Sequence, residues 1–161
     1  MPYKRILKIL ERDARTPVSQ IAAMLGESEE EVAHTIEDCE RRGIIRRYKT
    51  VIDWERAGVE RVFAFIDVKV SPAREVGFDD VAARIYRFPE VHSVYLMSGG
   101  YDLLVVVEGK TMKEVAFFVA ERLATIDRVQ ATATHFLLKK YKEDQVVVAE
   151  QEEDRRLAVA P

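Results

Sequence analysis

TPVSQIAAMLGESEEEVAHTIEDCERRG, residues 16–43, is the stretch around which the chain is organised. Thr16-Pro17 predicts a helix start: a hydroxyl cap, then a proline whose missing N–H does no harm in the first turn. Val18, Ile21, Ala22 and Leu25 recur at helical spacing, and Gly26 ends the run. Ser28 and Glu31 make a Ser-x-x-Glu capping box that opens the next helix. That helix carries Val32, Ile36 and Cys39 as its apolar stripe, and Gly43 is placed to end it. Two helices across a three- or four-residue turn, the second amphipathic, form the helix-turn-helix pattern. The pattern points to DNA, but the local charge does not. Glu27 to Glu40 contains seven acidic residues and no Lys or Arg.

Outward from this stretch, residues 3–14 read as a first helix with Ile6, Leu7, Ile9 and Leu10 as its buried stripe. On the other side, IIRRYKTVID places Ile44, Ile45, Val51 and Ile52 around a polar centre, which predicts a short strand or hairpin. Three helices followed by a hairpin make a winged helix-turn-helix over residues 1–52. Arg41, Arg42, Arg46, Arg47 and Lys49 put five basic residues into nine positions, with Tyr48 among them, and such a patch suits a phosphate backbone. A solvated face beside a helix C-terminus explains the same cations equally well on local grounds.

Residues 53–61, DWERAGVER, read as a polar linker, with Trp54 packing against a neighbouring domain or subunit. The following rhythm predicts strand 62–70, a short helix through Val81, Ala82, Ile85 and Phe88, strands 91–98 and 101–109 joined at Gly99-Gly100, a helix opened by Thr111-x-x-Glu114, and a last strand over 129–141. The order β-α-β-β-α-β over 62–144 is the ferredoxin-like (ACT-like) arrangement, an antiparallel sheet with two helices on one face. Phe63, Phe65, Asp67 and Lys69 would lie on its uncovered face, which favours self-association. Residues 145–161 form an acidic tail: Gln145–Ala149 suits an edge strand, and 150–161 reads as disordered or loosely helical.

The bulk numbers fit this α+β organisation. At 161 residues and 48% hydrophobic, the chain suits one domain or two small ones. Its net charge is −3, so there is no generally basic coat. Residues 1–52 carry ten Lys/Arg against nine Asp/Glu, residues 53–142 thirteen of each, and residues 143–161 two against six. Nucleic acid, if bound, belongs to the first third. One cysteine excludes an internal disulfide or a cysteine-built metal site and suits a reducing cytosol. No apolar run is long enough to span a bilayer, and the first residues form neither a signal peptide nor an anchor. A cytoplasmic location is expected.

A winged helix-turn-helix, a short linker and a β-α-β-β-α-β domain with a Gly-Gly-Tyr-Asp turn resemble the Lrp/AsnC ("feast/famine") family of prokaryotic transcriptional regulators. The resemblance covers about residues 1–144. It rests on Ile6-Leu7 through Thr16, Ile21-Ala22-x-x-Leu25-Gly26, Val32-x-x-x-Ile36, Glu40-x-x-Gly43-Ile44-Ile45-x-x-Tyr48 and Ser98-Gly99-Gly100-Tyr101-Asp102-Leu103. It implies binding to double-stranded DNA, homodimers joined through the sheet faces and assembling further, and a small effector, typically an amino acid, held near the Gly-Tyr-Asp turn. Candidate DNA contacts are then Ser28, His34, Thr35, Arg41, Arg42, Arg46, Arg47 and Lys49. Candidate effector contacts are Leu96, Ser98, Gly99, Gly100, Tyr101 and Asp102, with Thr132, Thr134 and His135. Glycines let a carboxylate approach backbone N–H groups, and Asp102 suits an α-ammonium group, although Gly99-Gly100 alone is equally a tight turn with Asp102 as its cap. The chain departs from the family pattern at Thr35, where Arg is usual, at Cys39, where Leu is usual, and at the acidic start Glu29-Glu30-Glu31. Acids stabilise a helix N-terminus, but there they also repel phosphates.

Catalytic chemistry is not visible. His34, His92 and His135 lie in different elements without metal-ligand spacing, and there is no phosphate-binding glycine loop or nucleophile elbow. No cofactor, metal or enzymatic activity is expected. Two alternatives share the architecture: an amino-acid-sensing oligomeric module that does not bind DNA, and a tetrapyrrole enzyme like the sirohaem decarboxylases. Against the enzyme, Leu103 to Val107 lack a polar or aromatic haem-facing pattern, and the basic wing is retained.

Overall fold

The computed structural model describes residues 3–71 and 77–148. The tail expected over 150–161 and the break expected at Pro72 fall outside these residues. The chain divides into two compact units, Met1–Val51 and Ile52–Pro161.

In the first unit, α1 (Tyr3–Arg12), α2 (Val18–Leu25) and α3 (Glu29–Arg41) share one small core. Ile6, Ile21, Ala22 and Val32 are buried there, with Ile9, Leu10, Val18, Leu25 and Ile36 packed against them. Cys39 is buried as well, behaving as a small apolar side chain. Leu7, expected in the stripe of α1, is only half-buried.

Local hydrogen bonding explains where the helices begin and end. Ser28 is the N-cap of α3: its Oγ accepts from the Glu31 N–H at 3.2 Å, and the Glu31 carboxylate accepts from the Ser28 N–H at 3.2 Å. The expected capping box is present in full. These bonds hold the Glu31 carboxyl below its ordinary range, the Ser28 hydroxyl contributing most. Replacing Ser28 with alanine is expected to cost this unit about 1 kcal/mol in urea unfolding followed by circular dichroism, with S28D recovering most of it.

Gly26 and Gly43 take left-handed φ values of 71° and 66° and end α2 and α3. After Gly43, the Ile44 N–H returns to the Cys39 carbonyl at 2.8 Å while the Gly43 N–H reaches Glu40, which is a Schellman closure. Three expectations fail nearby. Thr16 does not cap α2, because its hydroxyl donates backwards to the Asp13 carbonyl at 2.8 Å, leaving Pro17 at the cap position. The same Asp13 turn ends α1 at Arg12 rather than at residue 14, with the Arg15 N–H bound to the Asp13 carboxylate. The expected hairpin over 44–52 is also absent: the segment is irregular and pairs with no strand among the described residues. The Schellman closure consumes the first N–H groups of this segment, so they cannot start a ladder.

The second unit begins with an ordered turn. The Arg56 N–H binds the Asp53 carboxylate at 3.0 Å, and the Val59 N–H reaches the Trp54 carbonyl at 2.9 Å. Trp54 lies under the Arg61 guanidinium, 3.8 Å from the ring centroid, and Arg61 pairs with Glu108 at 2.8 Å. β1 (Val62–Val70), α4 (Asp79–Ile85), β2 (Val91–Leu96), β3 (Leu103–Gly109), α5 (Met112–Phe118, continued by one π-helical turn, Val119–Leu123) and β4 (Val129–Phe136) follow. The sheet order is β2-β3-β1-β4, antiparallel throughout, as the β-α-β-β-α-β reading requires. Ala64, Ile66, Val68 and Val70 of β1 and Leu103, Val105 and Val107 of β3 are buried with Val81, Ile85, Val115, Phe118, Val119 and Leu123 of the helical segments.

Four boundaries differ from expectation. α4 stops at Ile85, although Phe88 still packs on the core from the following turn. β2 and β3 stop at Leu96 and start at Leu103, which gives the hairpin a longer loop. Thr111 caps α5 by accepting from the Glu114 N–H at 3.1 Å, but the Glu114 carboxylate accepts from Lys110 rather than from Thr111, so the box is only half made. β4 ends at Phe136 instead of residue 141: the Leu137 N–H to the Phe63 carbonyl is its last bond, and β1 begins at Val62. The edge strand expected at Gln145–Ala149 does not join the sheet over its described residues, 145–148. Val146–Val147 (β6) pairs only with Lys142–Glu143 (β5), across a turn in which Asp144 and Gln145 both have positive φ.

Candidate nucleic-acid interface and effector turn

Three residues, Gly26 to Ser28, separate α2 from α3, so the first unit has the spacing of a helix-turn-helix. Glu29, Glu30, Glu31, His34, Glu37 and Glu40 are exposed on α3, and Thr35 is half-buried. Glu31 is committed to its cap, which leaves Glu29 and Glu30 as the acids at the helix start without a side-chain partner among the described residues. A cavity of about 200 Å³ lies between the beginning of α1 and α3, lined by Tyr3, His34, Thr35, Asp38, Cys39 and Arg42.

The basic residues fall into two groups. Arg41 and Arg42 both pair with Asp38. Arg46 and Arg47 are exposed and make no ion pair among the described residues. Lys49 is exposed also. Tyr48 links the two groups: its hydroxyl donates to Glu40 Oε1 at 2.7 Å, tying the segment after Gly43 to the end of α3. Desolvation, then the bond to Glu40, pushes the Tyr48 phenol up to about 12, so it stays a donor across the neutral range. Ser28, the remaining candidate, has its hydroxyl engaged in the capping box.

In the second unit, the loop from Met97 to Asp102 is closed by the Met97 N–H on the Asp102 carbonyl at 2.8 Å. Gly99 sits at φ 146°, a backbone region that side chains disfavour, while Gly100 has no such requirement. Asp102 faces inward. Its N–H donates to the Val68 carbonyl at 3.0 Å, its carboxylate accepts from the Val70 N–H at 2.8 Å, and Lys69 Nζ lies 3.4 Å away. The carboxylate therefore already serves β1, in the capping role that the turn alone suggests. Leu96, Ser98, Gly99, Gly100 and Tyr101 are exposed around it, beside Tyr95 and Met97.

The three β4 candidates lie elsewhere in the sheet. Thr132 pairs with Val68, Val68 with Leu103, and Leu103 with Leu96. Leu96 and Thr132 thus stand at opposite edges, three strand spacings or ~14 Å apart. Thr132 and Thr134 share the helix-side face with Phe136. His135 takes the other face, opposite Phe65, with Nε2 3.2 Å from Asp67 Oδ2. One chain does not gather these nine residues into a pocket.

The open face itself carries Phe63, Phe65, Asp67 and Lys69 as expected, together with Tyr95, Leu104, Val106 and His135. The Asp67–His135 pair escaped the sequence reading because it joins residues far apart in the chain. The Asp38 fork was readable, since the i,i+3 and i,i+4 spacing to Arg41 and Arg42 is a helical ion-pair signal. Among the described residues, no cluster of His, Cys, Asp and Glu is arranged to hold a metal ion, and no helix is long and apolar enough to cross a membrane.

Comparison with known proteins agrees with this layout. Residues 4–38 match the AsnC-type helix-turn-helix domain, and residues 63–147 match the Lrp/AsnC ligand binding domain. The chain is 50% identical over 157 residues to an uncharacterized HTH-type transcriptional regulator of Bacillus subtilis, YugG, covering 97% of this chain and 95% of that protein. It is 31% identical to the HTH-type transcriptional regulator FL11 of Pyrococcus horikoshii, over 87% of this chain and 89% of that one. The transcriptional regulator NMB0573 of Neisseria meningitidis, solved as an L-Met complex, superimposes with a TM-score of 0.71 at 25% identity, over 88% of this chain and 91% of that one. With both domains matched in their order along the chain, the chain belongs to the Lrp/AsnC family of helix-turn-helix transcriptional regulators, with a ligand-binding domain at its C-terminal side.

Proposed function

We propose that this regulator grips double-stranded DNA mainly through the basic end of α3 and the segment after it, Arg41, Arg42, Arg46, Arg47 and Lys49. Ser28, His34 and Thr35 face the same duplex from α3 and its cap. The observation that carries the reading is Arg46 and Arg47: two exposed cations without ion pairs among the described residues, directly after a helix-turn-helix whose second helix is capped at both ends. The acids Glu29 and Glu30 make the start of α3 the weaker contact. Glu can accept from cytosine N4 but repels phosphate.

An amino acid is the proposed effector, in keeping with the L-Met complex of the Neisseria regulator. Its site would combine the Leu96–Asp102 hairpin end of one chain with Thr132, Thr134 or His135 of another, because one sheet holds these groups ~14 Å apart. The chain works as a homodimer joined through the open sheet face, with further assembly of dimers, in the cytoplasm and without catalytic activity.

Fluorescence anisotropy with the protein's own promoter region, across a salt series and with each amino acid in turn, tests this reading. Binding that weakens steeply with salt, and that one amino acid shifts, is the expected result. No binding at low salt, with or without amino acids, would leave the sensing module that does not bind DNA as the correct description.

A further inference from the structure

Arg41 and Arg42 converge on a single carboxylate. Arg41 Nη2 lies 2.5 Å from Asp38 Oδ1, and Arg42 Nη1 lies 3.0 Å from Oδ2. The spacing places all three side chains on one side of α3. Asp38 is the most sheltered of them, its side chain 29% exposed against 73% for Arg41 and 55% for Arg42. It stands on the wall of the α1–α3 cavity, beside Tyr3 and Thr35. The hydrogen bonds from Arg42 and then Arg41 hold its carboxyl below the ordinary carboxylate range, so it stays ionised near neutral pH. Two cations that read as part of a basic patch therefore present a net charge of about +1.

We propose that Asp38 is a positioning residue that withholds Arg41 and Arg42 from polyanions and so sets both the affinity and the salt dependence of DNA binding. The inference rests on the reading that DNA meets this end of α3. A phosphate oxygen must replace a carboxylate oxygen on each guanidinium before it gains a charge-assisted bond. The displaced carboxylate stays close by as a like charge. Asp38 holds binding down in this way without touching the duplex, and it leaves Arg46 and Arg47 as the immediately available cations.

D38N tests this, because the amide keeps the shape and one acceptor oxygen while removing the charge. Its DNA affinity at about 0.1 M salt should rise roughly three- to tenfold, and the slope of log K against log salt should steepen by about 1 to 2. The steeper slope must require the arginines: introduced into R41A/R42A, D38N relieves only like-charge repulsion and should leave the slope within about 0.5 of the R41A/R42A value, whereas a slope that steepens as much as in the wild-type background would overturn the withholding role. D38A serves as a second variant should D38N fold poorly, with circular dichroism confirming the helices of both. Unchanged or weaker binding with an unchanged slope would overturn the proposal. Heparin retention separates the two readings. If the wild-type protein binds no DNA at low salt, the DNA reading fails by itself. Asp38 is then judged by the column: later elution of D38N supports the withholding role, and identical elution refutes it.

Discussion

The double substitution R46A/R47A is expected to weaken DNA binding roughly 30- to 100-fold at about 0.1 M salt and to reduce the log K–log salt slope by about 2. The size follows from counterion release: each lost phosphate contact removes close to one unit of slope, which is nearly one decade of affinity at that salt. Both side chains are exposed, so stability should barely move, and a thermal melt checks that the loss is electrostatic. E29Q/E30Q should act in the opposite direction and more weakly, because those acids repel without being replaced by a cation. A loss confined to one DNA sequence would mean instead that Arg46 or Arg47 reads bases rather than phosphates.

D102A is expected to destabilise the second unit by about 2–3 kcal/mol in urea unfolding. The β1–β4 register shifts between Lys69 and Val70, which takes the Val70 N–H out of regular pairing there. The Asp102 carboxylate supplies its acceptor at 2.8 Å, with Lys69 beside it, and is only 17% exposed. Alanine removes the acceptor and leaves a part-buried donor without a partner. D102N keeps an oxygen in place and should cost less than half as much. If D102A instead left stability intact and abolished only amino-acid binding, Asp102 would be a ligand group rather than a staple.

The contrast between Ser28 and Thr16 shows which parts of the fold could be read in advance. Ser28, Glu31, Gly26 and Gly43 act within one helical turn of themselves, and the sequence pattern located each of them. The alternation of Ala64, Ile66, Val68 against Phe63, Phe65, Asp67 survives because a strand has only two faces. Thr16 carries the same capping signal as Ser28, yet its hydroxyl found the Asp13 carbonyl first, a competition that spacing alone does not rank. The segments at 44–52, 137–141 and 145–149 have the composition of strands. Strands also need partners, and the partner of β4 runs out at Val62 while residues 146–147 pair with 142–143. Asp102 was legible as a turn residue, but its bond to Val70 joins positions 32 residues apart. Only resemblance groups Thr132, Thr134 and His135 with the Leu96–Asp102 turn, and the sheet order β2-β3-β1-β4 separates them within one chain. The acids of α3 were visible from the start. That Asp38 engages Arg41 and Arg42, and Glu40 engages Tyr48, shows how acids and cations coexist at one helix end.

On the proposed reading, DNA meets the basic end of α3 and the segment beyond it rather than the acidic helix start. Hydrogen exchange of the full chain, read by mass spectrometry with and without promoter DNA at low salt, measures this most directly. Slowed exchange over Arg41 to Val51, with little change over Glu27 to Ala33, is the predicted footprint. Protection confined to Glu27–Ala33, or no protection anywhere in the first unit, would contradict it.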